Sequence, residues 1–373
     1  MDLQKPAVSI IGAGPAGFAL AADLQSRGTP VLMYTHPSHP GHAAAVAQHN
    51  NTLVTTGLFQ STTRIRITTS ISEALAFSPL LVLTVPSTGQ ETILSALGPF
   101  YLGDHIIIAI PGNLFSLISQ HLNAAYILET NLSPYSCRMT ANRVTIMGKK
   151  QTLTIAPLSR LSPPSRISSD PSIHQTIQTT IFPGTSLKWC ASVLQVSLDN
   201  INGIFHPAMM LLNAGRVESP ASDFLLYREG LTRSVANTME ALDRVRVRIG
   251  DALGFDLQRA IDVSNECYGQ AFTDYVRLAR ESPPHRDLRA PDSMANRNIS
   301  EDVPDLLVCW FGLAEKLGVD AAPIGAIITL AGMATGVDYF EGGRNLRKLN
   351  LDKMSRAELI ARFGKGSIRS FYL

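Results

Sequence analysis

The sequence predicts an α/β N-terminal domain of the Rossmann type followed by an all-α C-terminal domain. Three observations carry this expectation. A glycine fingerprint, Gly12-Ala13-Gly14-Pro15-Ala16-Gly17, stands directly after the apolar run Ala7-Val8-Ser9-Ile10-Ile11. The first half alternates short β-branched runs with helical stretches, the pattern of a parallel sheet covered by helices. After Trp189 long helical patterns take over, which sets a boundary near residues 183–190 and divides the chain into 1–186 and 187–373.

Residues 7–11 read as the first strand and 16–27 as the first helix, whose alanines suit close packing on a sheet. Residues 30–34 form the second strand and 63–68 the third, followed by a helix over 71–76. Further strands are expected at 80–84 and 105–110, ended by Pro86 and by Pro111-Gly112, and then at 126–129, 144–147 and 153–155. The serine-, proline- and arginine-rich segment 159–172 reads as an exposed connection. Helices are expected over 232–253, 257–268 and 302–317. Pro207 interrupts or begins a helix, because it lacks an N–H and its ring crowds the preceding turn.

With 373 residues the chain suits two domains. Charged residues make up only 17%, below the usual ~25%, so large buried faces are expected and a homodimer is among the assemblies allowed. A net charge of +2 gives no electrostatic case for nucleic acid or a membrane surface. Cys137, Cys190, Cys267 and Cys309 show neither CxxC nor metal-ligand spacing, which reads as reduced thiols in a cytoplasmic protein with no bound metal. The longest apolar runs have strand length, so no membrane helix is expected. The glycines and proline of the fingerprint explain the apolar start better than a signal peptide does.

Gly12 allows a tight turn, Gly14 lets backbone approach a pyrophosphate, and Gly17 permits close contact between helix and strand. The phosphates then meet free N–H groups around Ala16 at the helix start, where the dipole favours anions. An acid after the second strand would select NADH by binding the ribose 2′-hydroxyl. Here Tyr34-Thr35-His36-Pro37-Ser38-His39 carries none. Thr35, His36 and Ser38 can hydrogen-bond a 2′-phosphate, so NADPH is the expected cofactor and NADH the alternative. His36, His39 and His42 lack carboxylate or cysteine partners and read as a surface loop rather than a metal tract. Pro86 and the loop from Pro111 to Asn113 follow strands, where ligands bind in such sheets.

The second half has no lysine between Trp189 and Glu315, which removes the lysine acid/base of many two-domain hydroxyacid dehydrogenases. Past residue 189 only His206 and His285 remain as imidazoles, and His285 lies in a proline-rich stretch expected to be an exposed loop. His206, between Phe205 and Pro207, reads in isolation as a satisfied core residue. Asp302 lies at an expected helix start and reads equally as a cap. Arg297 reads equally as a solvated surface group. Together the three offer an imidazole, a carboxylate and a guanidinium, the groups that hydride chemistry on an anionic substrate needs.

The chain resembles the opine dehydrogenase family over most of its length. Besides the fingerprint, the resemblance rests on Val85-Pro86-Ser87-Thr88-Gly89-Gln90, Glu129-Thr130-Asn131-Leu132-Ser133-Pro134-Tyr135-Ser136-Cys137-Arg138 and His206-Pro207-Ala208. Residues 294–303 and Leu346-Arg347-Lys348-Leu349-Asn350-Leu351 add to it. His39-Pro40-Gly41 and Asn213-Ala214-Gly215-Arg216 are similar to the nopaline-forming branch. The resemblance implies a catalytic pair at His206 and Asp302, a substrate-carboxylate arginine at Arg297, and pocket positions at Asn113 and Thr130.

The implied reaction is an NAD(P)H-dependent reductive condensation of an L-amino acid with an α-keto acid, pyruvate or 2-oxoglutarate. Arg228 and Arg233 are candidates, by charge alone, for a second carboxylate contact. The alternatives are an imine reductase or a hydroxyacid or ketopantoate-type dehydrogenase on the same architecture, and a non-catalytic protein that senses a dinucleotide.

Overall fold

The apolar run before the fingerprint is the centre of a large sheet. The computed structural model of the chain describes residues 6–158, 171–219 and 223–365. Two compact units result, Met1–Cys190 and Ala191–Leu373. The first is a Rossmann-type α/β domain and the second is helical. Most of the segment 159–172, expected to be an exposed connection, lies outside the described residues.

The strands of the first unit are β1 (Val8–Ile11), β2 (Val31–Tyr34), β3 (Thr52–Gly57), β4 (Ser61–Arg64), β5 (Arg66–Thr68) and β6 (Leu80–Leu83). They continue with β7 (Ile106–Ala109), β8 (Tyr126–Thr130), β9 (Tyr135–Thr140), β10 (Arg143–Lys149), β11 (Thr152–Pro157) and β12 (Ser186–Trp189). The main sheet runs β12-β11-β8-β7-β6-β1-β2-β5. From β8 to β5 all neighbours are parallel, and β11 joins β8 antiparallel. Every residue of β1, β2 and β6 is buried, which explains their unbroken apolar sequences: helices cover both faces.

The expected third strand over 63–68 is in fact two. β4 pairs with β3 in a second sheet of order β4-β3-β10-β9, whereas β5 extends the main sheet beside β2. The wholly buried Ile65 makes the switch between them. The second sheet packs on the fingerprint helix, Pro15–Ser26. β3, β9 and β12 were not expected, because Thr52–Gly57 and Ser186–Trp189 carry too few large apolar residues to stand out.

Asp23 on the fingerprint helix is the polar link between the two layers. Its carboxylate accepts from Lys149 Nζ at 2.6 Å, Tyr135 Oη at 2.7 Å and Arg27 Nε at 2.9 Å. Burial pushes its pKa up, but these three donors outweigh burial and hold it below the ordinary 3.8. A depressed folded pKa contributes stability that is present above the unfolded value and is lost as pH falls through the folded one. Asp23→Asn is therefore expected to lower stability at pH 7 by about 2 kcal/mol. The gap from wild type should begin to close below roughly pH 4, near the unfolded value, and go on narrowing as pH falls toward the lower folded one. Urea midpoints of both proteins from pH 7 to pH 3 check this, and a gap independent of pH would disprove it.

In the second unit the expected helices appear as Arg233–Ala252, Ala260–Tyr268 and Val308–Leu317. The last is preceded by a π-helical turn, Val303–Leu307, where a continuous helix from 302 was expected. Pro207 neither starts nor ends a helix: it lies inside Asn202–Leu211. The carbonyl it leaves without a helical donor belongs to Gly203, which Trp310 packs against so closely that a Cβ there would sit 2.9 Å from the indole. Arg246 is wholly buried, with Nε on Asp243 at 2.7 Å, Nη1 on the Leu198 carbonyl at 2.8 Å and Nη2 on the Gln258 carbonyl. Among the described residues no helix is long and apolar enough to cross a membrane.

Candidate active site

The fingerprint folds as its glycines require. Gly12 has φ of +126°, and a Cβ on it would lie 2.9 Å from the Val85 backbone nitrogen. A Cβ on Gly17 would lie 2.1 Å from the Gly12 carbonyl oxygen. A Cβ on Gly14 would meet nothing within 4 Å, so the open side of the loop is at the helix start. No side chain caps that helix. Uncapped N–H groups around Ala16 next to open space fit a dinucleotide pyrophosphate. Thr84, which sequence reasoning passed over, braces the loop by donating to the Gly12 carbonyl at 2.8 Å.

The other candidates of this unit stand at the same edge. Thr35, His36 and Ser38 follow β2, Pro86 follows β6, Asn113 follows β7 and Thr130 ends β8. With the β1 loop they occupy the carboxyl ends of five consecutive parallel strands, β2-β1-β6-β7-β8. The chain reverses its direction of progress through the sheet between β1 and β6, the crevice where such sheets bind ligands. Thr35 donates to the His39 carbonyl at 3.1 Å, and the Ser38 N–H reaches His36 Nδ1 at 3.2 Å. Pro86 is the extended residue that opens the helix Ser87–Leu97.

Asn113 and Thr130 are joined through backbone, since the Gly112 N–H donates to the Thr130 carbonyl at 2.9 Å. Asn113 and Leu114 have φ of 50° and 66°, a left-handed pair that asparagine tolerates and leucine does not. Glu129 holds this loop. Wholly buried, it accepts from the Leu114 N–H at 2.8 Å and from the Ser116 hydroxyl. Gly112 has no room for a Cβ because Glu129 lies beneath it. Its signal was an acid near the end of the apolar strand Tyr126–Thr130, where it faces no solvent.

In the second unit His206 Nδ1 lies 2.6 Å from Asp302 Oδ2, across 96 residues of sequence. The two side chains are 14% and 4% exposed. Asp302 precedes the π turn but makes no capping hydrogen bond; its carboxylate faces the imidazole instead, so it is not a cap. The short helix Arg297–Ser300 packs on the helix carrying His206. Arg297 has a side chain 61% exposed, with Nε 3.6 Å from Glu301.

Arg228 and Arg233 are exposed and face Asp287 and Asp274. His285 is not in an exposed loop. It lies half-buried between Tyr227 and Tyr268, with ring centroids 4.9 and 5.2 Å away, and bonds Ser282 at 2.8 Å. Among the described residues no group of three or more histidine, cysteine, aspartate or glutamate side chains could hold a metal.

A family model described as "NAD/NADP octopine/nopaline dehydrogenase, alpha-helical domain" matches residues 189–335. A second, "NAD-dependent glycerol-3-phosphate dehydrogenase N-terminus", matches residues 7–132. The protein ocs of Agrobacterium tumefaciens strain Ach5 is 27% identical over 364 residues, 95% of this chain and 98% of its own. The chain is thus similar to opine-forming relatives along nearly its whole length. A vitopine synthase of Allorhizobium ampelinum is 29% identical, across 75% of this chain and 77% of that relative. The fold is similar to that of a solved octopine dehydrogenase with NADH and L-arginine. That structure has a TM-score of 0.71 at 18% identity and spans 96% of this chain and 98% of its own.

Proposed function

We propose that the protein is an opine dehydrogenase in which His206 and Asp302 are the catalytic pair. The amine of an L-amino acid attacks the carbonyl of an α-keto acid, pyruvate or 2-oxoglutarate, and loss of water leaves an imine. A nicotinamide dinucleotide supplies the hydride that reduces the imine carbon, and a proton completes a secondary amine bearing two carboxylates.

The single observation that carries the residue assignment is the 2.6 Å contact between His206 Nδ1 and Asp302. A carboxylate accepts only, so Nδ1 bears the hydrogen and Nε2 keeps its lone pair. Nε2 is then the atom that takes the proton of the ammonium group, which must leave before the amine can attack. The buried Asp302 favours the imidazolium that forms and holds its orientation. Arg297, largely exposed, presents a forked guanidinium to a substrate carboxylate, a geometry that lysine lacks. Asn113 and Thr130 line the keto-acid side of the sheet edge, on the loop that Glu129 holds.

Gly12, Gly14, Ala16, Gly17 and Pro86 form the dinucleotide cradle, and Thr35, His36 and Ser38 meet the adenosine ribose. NADPH is the preferred cofactor, because no acid follows β2. Glu73, reached from β5, has its carboxylate engaged by Arg66 at 2.6 Å and Thr68 at 2.6 Å. The proposal extends to a cytoplasmic homodimer, on the low charged fraction and the scattered cysteines.

Initial rates with NADPH or NADH, each with an amino acid, a keto acid, both or neither, test this reading. Cofactor oxidation is expected only when both organic substrates are present, with the higher kcat/KM for NADPH. Comparable reduction of a keto acid alone would place the chain with hydroxyacid dehydrogenases. Turnover of preformed imines alone would make it an imine reductase. Binding of cofactor without oxidation under any combination would make it a sensor.

A further inference from the structure

Three carboxylates fall within five residues around the π turn: Glu301, Asp302 and Asp305, all buried. Like charges held so close and out of water persist only when each has a cationic or hydrogen-bonding partner. Asp302 has His206 and Glu301 has Arg297. Asp305 has Arg344, whose Nε lies 3.3 Å from its carboxylate. Arg344 is only 6% exposed and comes from a segment near the end of the chain.

The backbone makes the same connection. The Arg344 N–H donates to the Pro304 carbonyl at 2.8 Å. A Cβ on the preceding Gly343 would lie 2.6 Å from that carbonyl oxygen, so this approach requires a glycine. Behind it, the stretch from Leu346 to Leu351 locks the segment down. Leu349 and Leu351 are wholly buried, and Leu346 packs on Gly312 of the helix that follows the π turn. Lys348 Nζ returns to the Gly342 carbonyl at 2.6 Å, and Lys316 reaches the Asp352 carbonyl at 2.7 Å.

We propose that Arg344 is a positioning residue, which through Asp305 and the Pro304 carbonyl sets the π turn that aims Asp302 at the His206 imidazole. The inference rests on the reading of His206 and Asp302 as the catalytic pair. A π turn departs from the regular helical ladder and is retained where side chains must be placed off the helical register. Asp302 immediately precedes that turn, so a shift of the turn moves its carboxylate directly. The Leu346–Leu351 stretch acts as the buckle of this device.

The test measures kcat, keto-acid KM, NADPH Kd and the nitrogen-15 resonances of the imidazoles in Arg344→Met and Arg344→Lys. His206→Asn assigns the His206 signals by their loss. Arg344→Met is expected to lower kcat about tenfold, with KM and Kd within about twofold, a loss of about 1.4 kcal/mol of transition-state stabilisation. The His206 Nδ1 resonance should move with it, and Arg344→Lys should restore most of both. Should Arg344→Met not fold, Asp305→Asn breaks the same pair from the other side and carries the same expectation. Loss of thermal stability with kcat and the His206 resonances unchanged would overturn the proposal, as would a kcat loss that leaves those resonances in place. A His206→Asn enzyme with near-normal turnover would remove the catalytic pair and this inference together. An inert His206→Asn beside an unimpaired Arg344→Met removes this inference alone.

Discussion

His206→Ala is expected to lower kcat by about 10²–10⁴, the usual contribution of a positioned general acid–base group. Asp302→Asn should come close to it. Its carboxamide preserves shape but can donate to Nδ1, which favours the tautomer with the proton on Nε2 and so removes the acceptor that faces substrate. The doubly substituted enzyme should be little worse than either single one, because groups acting as a unit are strongly non-additive. Cofactor affinity should hold in all three, since the glycine fingerprint lies in the other unit. Steady-state kinetics at saturating amino and keto acid, with fluorescence titration of NADPH, give both quantities. Near-normal turnover in His206→Ala would end the assignment.

Arg246→Met is expected to produce the largest loss of stability of any substitution considered, about 3–5 kcal/mol. Removing the guanidinium leaves Asp243 buried with its charge uncompensated, and the Leu198 and Gln258 carbonyls lose their donors. For a unit of this size that corresponds to a fall in Tm of about 10 °C. Removing both partners in Arg246→Met/Asp243→Leu should return part of the loss, because no charge then remains without its counterpart. Asp243 also accepts from the Ala260 N–H at 2.9 Å, so full recovery is not expected. Thermal and urea unfolding of the single and double variants check this. A double variant no better than Arg246→Met would show that the ion pair is not what the arginine supplies.

Much of the site could be read in the sequence because its signals are local. A fingerprint at the end of an apolar strand specifies its own turn: Gly12 takes a φ of +126°, and Gly17 leaves room for the Gly12 carbonyl five residues before it, although the Val85 backbone that also crowds Gly12 is distant in sequence. The pair His206 and Asp302 was legible for a different reason: few other imidazoles exist in the second half, and the flanking motifs resemble a family. Neither signal says that the two side chains meet, or that Asp302 does not cap its helix.

Other features were hidden because the residues that decide them are far apart in sequence. The stretch from Thr63 to Thr68 reads as one strand, since β propensity cannot show that Ser61–Arg64 and Arg66–Thr68 pair with different sheets. Pro207 reads as a helix boundary, since its missing N–H is a local cost, whereas the packing of Trp310 on Gly203 is a distant gain. His285 reads as a loop residue from its prolines, but two tyrosines brought by other segments enclose it.

What the sequence by itself determined was the inventory of the candidate site: a glycine fingerprint, an imidazole, a carboxylate and a guanidinium, in an order that resembles one family. Short-range sterics and residue type are enough for that. What only the tertiary structure decided was which groups hold these in place. Thr84 under the fingerprint, Glu129 under the Asn113 loop and Arg344 against Asp305 act across 72, 15 and 39 positions of chain. Burial makes each of these polar groups find a partner, and the fold alone determines which partner is within reach.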